Sequence, residues 1–319
     1  LTQEIVFLVG GLLLLFAGGE ALVRGSVALA DRLQVSKLFV GIVVVGFGTS
    51  SPELLVSVQA ALTGSPDIAV GNVVGSNIAN VLLIVGIAAL LAPLATDDPA
   101  VRRDAAVAAA ISAGLVALFL LANGTVTRLH GIALLAILSI YLTVTFMAER
   151  ARQNSAFVHE AEEMEGPQWS VAISLGVAFV GIVMLVFGAR TLVEGAVGVA
   201  RAVGVSEAVI GLTVVAIGTS LPELATAIVA AVRRHTDVVL ANIVGSNIFN
   251  ILAILGVTAV ITPIPIAARF AYIDAPVMAA IAIVAAGLMF LCKSIGRIAG
   301  LALLLAYAAY LLTQGLNAG

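Results

Sequence analysis

The sequence predicts an all-α polytopic membrane protein: ten transmembrane helices in two inverted five-helix repeats, with helices broken at the bilayer midplane. Three observations predict it. The 319 residues are 61% hydrophobic and only 10% charged, with a mean hydropathy of +1.18, a balance that water-soluble domains do not carry. The second half copies the first at a constant offset of 170 residues, without a gap. Each half also interrupts a long apolar run with a proline and a glutamate, in G-F-G-T-S-S-P-E from Gly46 to Glu53 and A-I-G-T-S-L-P-E from Ala216 to Glu223.

Apolar runs parted by short polar breaks place the first five helices at about 4–29, 37–62, 68–91, 105–122 and 129–147. The first run is too long for the apolar core of a signal peptide and reads as the first span. The polar stretch 148–169, with Glu160, Glu162, Glu163 and Glu165, reads as a solvated connector. The second five helices fall at about 170–200, 207–232, 238–261, 275–292 and 297–313. The chain thus divides into a first half at 1–147, a linker at 148–169 and a second half at 170–319.

Gly48, Thr49, Ser50, Pro52, Glu53, Asn72, Gly75, Ser76, Asn77 and Asn80 return as Gly218, Thr219, Ser220, Pro222, Glu223, Asn242, Gly245, Ser246, Asn247 and Asn250. A duplication of this kind is an architectural unit, and five helices per unit is an odd number, so the second copy enters the membrane from the opposite face. Arg32, Lys37, Arg102, Arg103, Arg150, Arg152, Arg233, Arg234, Lys293 and Arg297 lie on the side of the linker; Arg128, Arg201 and Arg269 lie on the other. That bias places the linker in the cytoplasm and both termini outside, in a plasma membrane. Trp169, Tyr141, Tyr272, Tyr307 and Tyr310 read as interfacial aromatics.

Composition also excludes classes. No basic tract exists for nucleic acid, and the single cysteine, Cys292, forms no intramolecular disulfide or thiolate metal cluster. His130, His159 and His235 read as loop histidines. Glu20 and Arg24 are spaced i, i+4, as are Arg190 and Glu194 with the signs exchanged, so each pair can neutralise itself on one helix face. Gly11, Gly18 and Gly25, and in the second half Gly181, Gly188 and Gly195, make smooth stripes for close packing or sliding against a neighbouring helix.

A carboxylate at mid-bilayer costs about 2.5–3.5 kcal/mol on insertion scales and persists where it has a partner or a task. Pro52 and Pro222 lack an N–H and crowd the carbonyl four residues back, so the helix breaks around 46–49 and 216–219 and frees backbone oxygens. Thr49, Ser50, Thr219 and Ser220 add hydroxyls beside Glu53 and Glu223. On the following helices Ser76 and Asn80 share a face, as do Ser246 and Asn250; Asn72, Asn77, Asn242 and Asn247 read as amides that fix helix breaks. All these ligands are oxygens, which suits Ca²⁺ and Na⁺ and not copper, zinc or iron. Two facing glutamates match one Ca²⁺ in charge; without an ion they repel, so an unloaded carrier resists crossing between states and exchanges instead of leaking.

With G-T-S-x-P-E and G-S-N-I-x-N paired in inverted halves over nearly the whole chain, the sequence resembles the Na⁺/Ca²⁺ exchangers of the Ca²⁺:cation antiporter superfamily, of prokaryotic type. The resemblance implies a metal site made by Glu53, Glu223, Thr49, Thr219, Ser50, Ser220, Ser76, Ser246, Asn80 and Asn250, with Gly46 and Ala216 contributing backbone oxygen. It implies about three Na⁺ per Ca²⁺, a sliding gate formed by the first and sixth helices, no catalytic residues and no cofactor, and function as a monomer in the lipid bilayer. Members that co-transport K⁺ carry aspartate at the position of Asn250, so its amide argues for K⁺ independence, and the short linker leaves no room for the regulatory domains of animal exchangers. A proton-coupled Ca²⁺ exchanger of the same superfamily is the nearest alternative, although those carry a Glu-His element where this chain has Val74–Gly75 and Val244–Gly245. An intramembrane hydrolase and a passive cation channel are the alternatives of other classes.

Overall fold

A computed structural model describes residues 2–33, 35, 37–156, 169–202 and 218–317. The first repeat runs α1 (Thr2–Leu33), the bent pair α2 (Gly41–Thr49) and α3 (Ser51–Leu62), α4 (Pro66–Leu91), β1 (Leu94–Ala95), α5 (Pro99–Leu121), β2 (Thr125–Val126) and α6 (Arg128–Ala156). The second runs α7 (Val171–Ala202), α8 (Leu221–Val232), α9 (Thr236–Ile261), β3 (Ile264–Pro265), α10 (Phe270–Leu291), β4 (Ser294–Ile295) and α11 (Arg297–Asn317). Seven of these helices are long and apolar enough to cross a membrane, eight with the bent pair taken as one span. The shorter α8 and α11 fill the remaining two of ten places in the two five-helix repeats; the part of the seventh span before α8, and the linker acids Glu160 to Glu165, lie outside the described residues.

Helix starts follow local chemistry. Asp98 caps α5, its Oδ1 accepting the Ala100 N–H at 2.8 Å, with Pro99 at the first helical position, where a missing N–H costs nothing. This cap starts α5 several residues before the expected 105, since a polar first turn carries no apolar signal. After α3 the chain reverses through Gly64 at φ +79, and after α8 through Arg234 at φ +61, the same place in the repeat. In both turns the following N–H reaches back five residues, Ser65 to the Ala60 carbonyl and His235 to the Ala230 carbonyl.

Two small antiparallel ladders, absent from the sequence reading, report the topology. β1 pairs with β4 and β2 with β3. β1 and β3 are repeat copies, and β2 and β4 occupy the same place in the repeat to within one residue, so each ladder joins one strand of each half and the pairing is exchanged by the duplication. β1 and β4 follow the third and ninth spans, and β2 and β3 follow the fourth and eighth, which puts the ladders on opposite membrane faces and the two halves in inverted order.

Burial sorts the helices. The apolar windows of α4 and α9 are 78% and 100% buried, against 28% for both α1 and α7. The central pair carries the polar motifs, and the outer pair presents apolar side chains such as Leu13, Phe16, Phe179 and Phe187 to lipid. The two glycine stripes of α1 and α7 face one another: a Cβ on Gly18 would lie 2.8 Å from the Leu185 nitrogen, and one on Gly181 would lie 2.5 Å from the Leu22 nitrogen. Glu20 bonds Arg24 at 2.5 Å within α1, and it also pairs with Arg233 at the end of α8. Its charge is therefore shared between helices, beyond the self-neutralised pair expected from spacing. Tyr141 and Tyr307 are buried against neighbouring helices, whereas Tyr272 is exposed.

Candidate functional site

The site forms where the bent pair α2–α3 of the first half and α8 of the second meet α4 and α9. Ser50 ends α2 and opens α3 with φ −81 and ψ 5, and Ser220 opens α8 with φ −88 and ψ 7, the same non-helical step in both copies. The chain bends by 46° between α2 and α3. Gly41–Gly46 forms a π turn just before the bend. Neither serine hydroxyl caps its own helix; each reaches toward the opposite half. Ser50 Oγ donates to Glu223 Oε1 at 3.1 Å, and Ser220 Oγ lies 3.5 Å from Ser76 Oγ. Glu53 and Glu223 each sit in a first helical turn, where the helix dipole favours a carboxylate, and both are 1% exposed. Because Ser50, which opens the helix of Glu53, bonds the Glu223 carboxylate, the two carboxyl groups share one environment.

Thr49 Oγ1 lies 3.0 Å from the Val45 carbonyl and 3.2 Å from Asn242 Oδ1. Its copy Thr219 Oγ1 lies 3.4 Å from Asn72 Oδ1. Each break is thus held by an asparagine of α4 or α9. Asn72 Nδ2 also donates to the Glu53 carbonyl at 3.1 Å and to Ser57 Oγ at 2.9 Å. Ser57 passed unnoticed in the sequence; its place one turn after Glu53, on the same face, was the available signal. At the repeat position of Ser57 stands Ala227, and Asn242 Nδ2 is left without a hydrogen-bond partner.

Close approach brings α2 onto α9. A Cβ on Gly245 would lie 2.9 Å from the Ile42 Cα, and one on Gly46 would lie 3.1 Å from the Ser246 nitrogen. The Gly46 carbonyl is therefore not freed by the break, as expected from the sequence: it accepts the Ser50 N–H at 3.2 Å and Ser246 Oγ at 3.3 Å. Its copy Ala216 lies outside the described residues.

In α4 and α9 the second motif ends at a π turn, Asn80–Ile84 and Asn250–Ile254, so both candidate amides sit at the first residue of a widened turn. Asn80 Nδ2 donates to Asn247 Oδ1 at 3.0 Å, and Asn250 Nδ2 to Asn77 Oδ1 at 2.9 Å, a twofold exchange between halves.

What these bonds leave over is specific. The buried oxygens without a hydrogen-bond partner include both carboxylate oxygens of Glu53, Oε2 of Glu223, and Oδ1 of Asn80 and of Asn250. Each is an acceptor, contributed by both halves, and an unpaired buried acceptor is costly unless something positive satisfies it. Thr49, Ser50, Ser220, Ser76 and Ser246 are buried with them, and Thr219 is half-buried. Among the described residues no group of three or more His, Cys, Asp or Glu side chains forms a metal cluster; the donor set is two carboxylates with hydroxyl and amide oxygens, which fits hard cations as transported substrates.

An inverted-repeat membrane fold with a buried acceptor-rich cage between its halves defines an ion transporter. The chain belongs to the sodium/calcium exchanger protein family, whose model matches residues 4–147 and 173–316. It is an antiporter of that family, not an enzyme, and a multi-pass membrane protein. It is 31% identical to the sodium/calcium exchanger MaX1 of Methanosarcina acetivorans over 98% of each chain. It is 37% identical to the inner membrane protein YrbG of Escherichia coli over 80% of this chain and 79% of that one. A solved structure of the sodium-calcium exchanger NCX_Mj superposes with a TM-score of 0.83 at 29% identity, over 97% of this chain and 98% of that one. A more distant relative is the Ca²⁺/H⁺ antiporter ChaA of Bacillus subtilis, 26% identical over 61% of this chain.

Proposed function

We propose that this protein exchanges about three Na⁺ for one Ca²⁺ by alternating access, without K⁺, through a single cage at the interface of its two halves. Glu53 and Glu223 balance the charge of one Ca²⁺; Thr49, Thr219, Ser50, Ser220, Ser76, Ser246, Asn80 and Asn250 supply neutral oxygens, with the backbone oxygen of Ala216 added, while the Gly46 carbonyl, already accepting from Ser50 and Ser246, is left out of the set. The observation that carries the reading is the set of unpartnered acceptors: two oxygens on Glu53 and one each on Glu223, Asn80 and Asn250. Carboxylates that share a buried cage and lack a fixed basic partner repel when no cation is present, which makes an ion-free crossing costly and couples inward to outward flux. An amide at Asn250 keeps the cage at two formal charges, and this supports K⁺ independence.

The packing of α1 against α7 along glycine stripes supports their movement as one unit over the buried α4 and α9. The halves 1–147 and 170–319 are joined by a short linker, 148–169, that the arginine and lysine bias assigns to the cytoplasm, with both termini outside and one chain sufficing for transport.

Proton-coupled Ca²⁺ exchange is the second reading, favoured by the relationship to ChaA. Purified protein in proteoliposomes, given an outward Na⁺ gradient at clamped pH, separates the two. The first reading expects Ca²⁺ uptake that follows the Na⁺ gradient and ignores K⁺; uptake that follows an imposed pH gradient and is indifferent to Na⁺ overturns it.

A further inference from the structure

Asn77 stands beside the cage, contributes no unpartnered atom to it, and ties one half to the other through both ends of its amide. Its Nδ2 donates to the Asn247 backbone carbonyl at 3.3 Å. A backbone carbonyl can only accept, so the atom of Asn77 that meets it must be the nitrogen. The opposite end, Oδ1, then faces Asn250 and accepts from its Nδ2 at 2.9 Å. By the same logic the Asn250 atom that meets an acceptor oxygen must be nitrogen, and its Oδ1 is directed away from Asn77, buried and without a hydrogen-bond partner, on the helical face it shares with Ser246. The chain of constraint runs from a peptide oxygen that cannot turn, through Asn77, to the oxygen of Asn250.

An asparagine amide is nearly symmetric in shape and opposite in charge at its two ends. Turned by half a rotation, Asn250 would offer two N–H donors to a cation instead of an oxygen. We propose that Asn77 is a positioning residue for cation selection: it fixes the amide orientation of Asn250 so that oxygen and not NH₂ is offered to the ion. In the other half, Asn80 Nδ2 donates to Asn247 Oδ1 at 3.0 Å. This inference rests on the proposed cage and deepens it, because it assigns a role to a side chain that supplies no oxygen to the ion.

The consequence is a coupling that a packing role does not produce. A carboxylate has oxygen on both sides, so aspartate at 250 has no wrong orientation and no need of Asn77. The test is a double-mutant cycle on the full-length protein with Asn77→Leu and Asn250→Asp, read by the Ca²⁺ concentration needed to raise the melting temperature half-maximally in Na⁺-free detergent. Asn77→Leu is expected to weaken Ca²⁺ binding about tenfold in the native background, the scale of a lost contact to a charged group. In the Asn250→Asp background the same substitution is expected to weaken it by less than about twofold. Equal losses in both backgrounds overturn the proposal, as does an Asn77→Leu protein with unchanged Ca²⁺ dependence, or an Asn250→Asp protein that no longer binds Ca²⁺. If Asn77→Leu is not recovered folded, Asn77→Ala takes its place with the same expectations. Because the readout is Ca²⁺ binding alone, failure of Na⁺-driven transport defeats the exchange reading and leaves this result standing on its own.

Discussion

Ser50 of the first half donates a hydrogen bond to Glu223 of the second at 3.1 Å, and through that contact the duplicated motif becomes one site. Two glutamates separated by 170 residues face the same buried space, each in the first turn of its helix, and in the first half that helix is bent by 46° from α2. The arrangement joins a cost, a carboxylate without a fixed cation, to a use, a cation that can be exchanged.

Glu53→Gln and Glu223→Gln are each expected to reduce Ca²⁺ exchange to background while leaving the protein folded. The substitution removes a buried charge with no basic partner, so melting in ion-free buffer is expected to be unchanged or higher. Flux in proteoliposomes together with thermal denaturation checks both halves of the expectation; near-normal flux in either variant contradicts it.

Gly181→Ala places a methyl group 2.5 Å from the Leu22 nitrogen and 2.8 Å from the Gly18 carbonyl oxygen. Both neighbours are backbone, so the clash cannot be relieved by a rotamer change, and α1 and α7 must separate. A loss of about 1–3 kcal/mol is expected, seen as a lower melting temperature. An unaltered melting temperature contradicts the close packing of the two helices.

Ala227→Ser tests the asymmetry between halves. It restores at α8 the hydroxyl that Ser57 gives Asn72, and offers a partner to Asn242 Nδ2. One added hydrogen bond to a buried donor contributes about 1 kcal/mol, so the variant is expected to melt higher, and the reciprocal Ser57→Ala lower.

Arg234→Gly concerns the turn after α8, where arginine holds φ +61 and its repeat copy is Gly64. A left-handed conformation costs an ordinary L-residue about 1–2 kcal/mol, partly offset by the extra freedom glycine gives the unfolded chain. A net gain of up to about 1 kcal/mol is expected; a fall in stability would point to a role for the Arg234 side chain itself.

Much of this was legible in the residues. The 170-residue offset, the prolines and the apolar runs carry the helix count, the inversion and the buried place of Glu53 and Glu223, because each depends on local pattern or parity. Other features depend on how the halves meet. The Asn77–Asn250 and Asn80–Asn247 bonds join residues 173 and 167 apart, and no spacing rule reaches across such a gap. The fate of the Gly46 carbonyl was misread for the same reason: Pro52 explains why a helix breaks, but only the approach of α9 brings Ser246 to that oxygen. The π turns that begin at Asn80 and Asn250 likewise follow tertiary packing, not propensity.

The most direct measurement is anomalous diffraction from crystals soaked in Ca²⁺ or Sr²⁺ without Na⁺. One strong divalent-ion peak within coordination distance of both Glu53 and Glu223 is predicted, replaced by weaker density of several ions on transfer to Na⁺. A peak bound by only one of the two carboxylates, or one placed elsewhere in the fold, would contradict the shared cage.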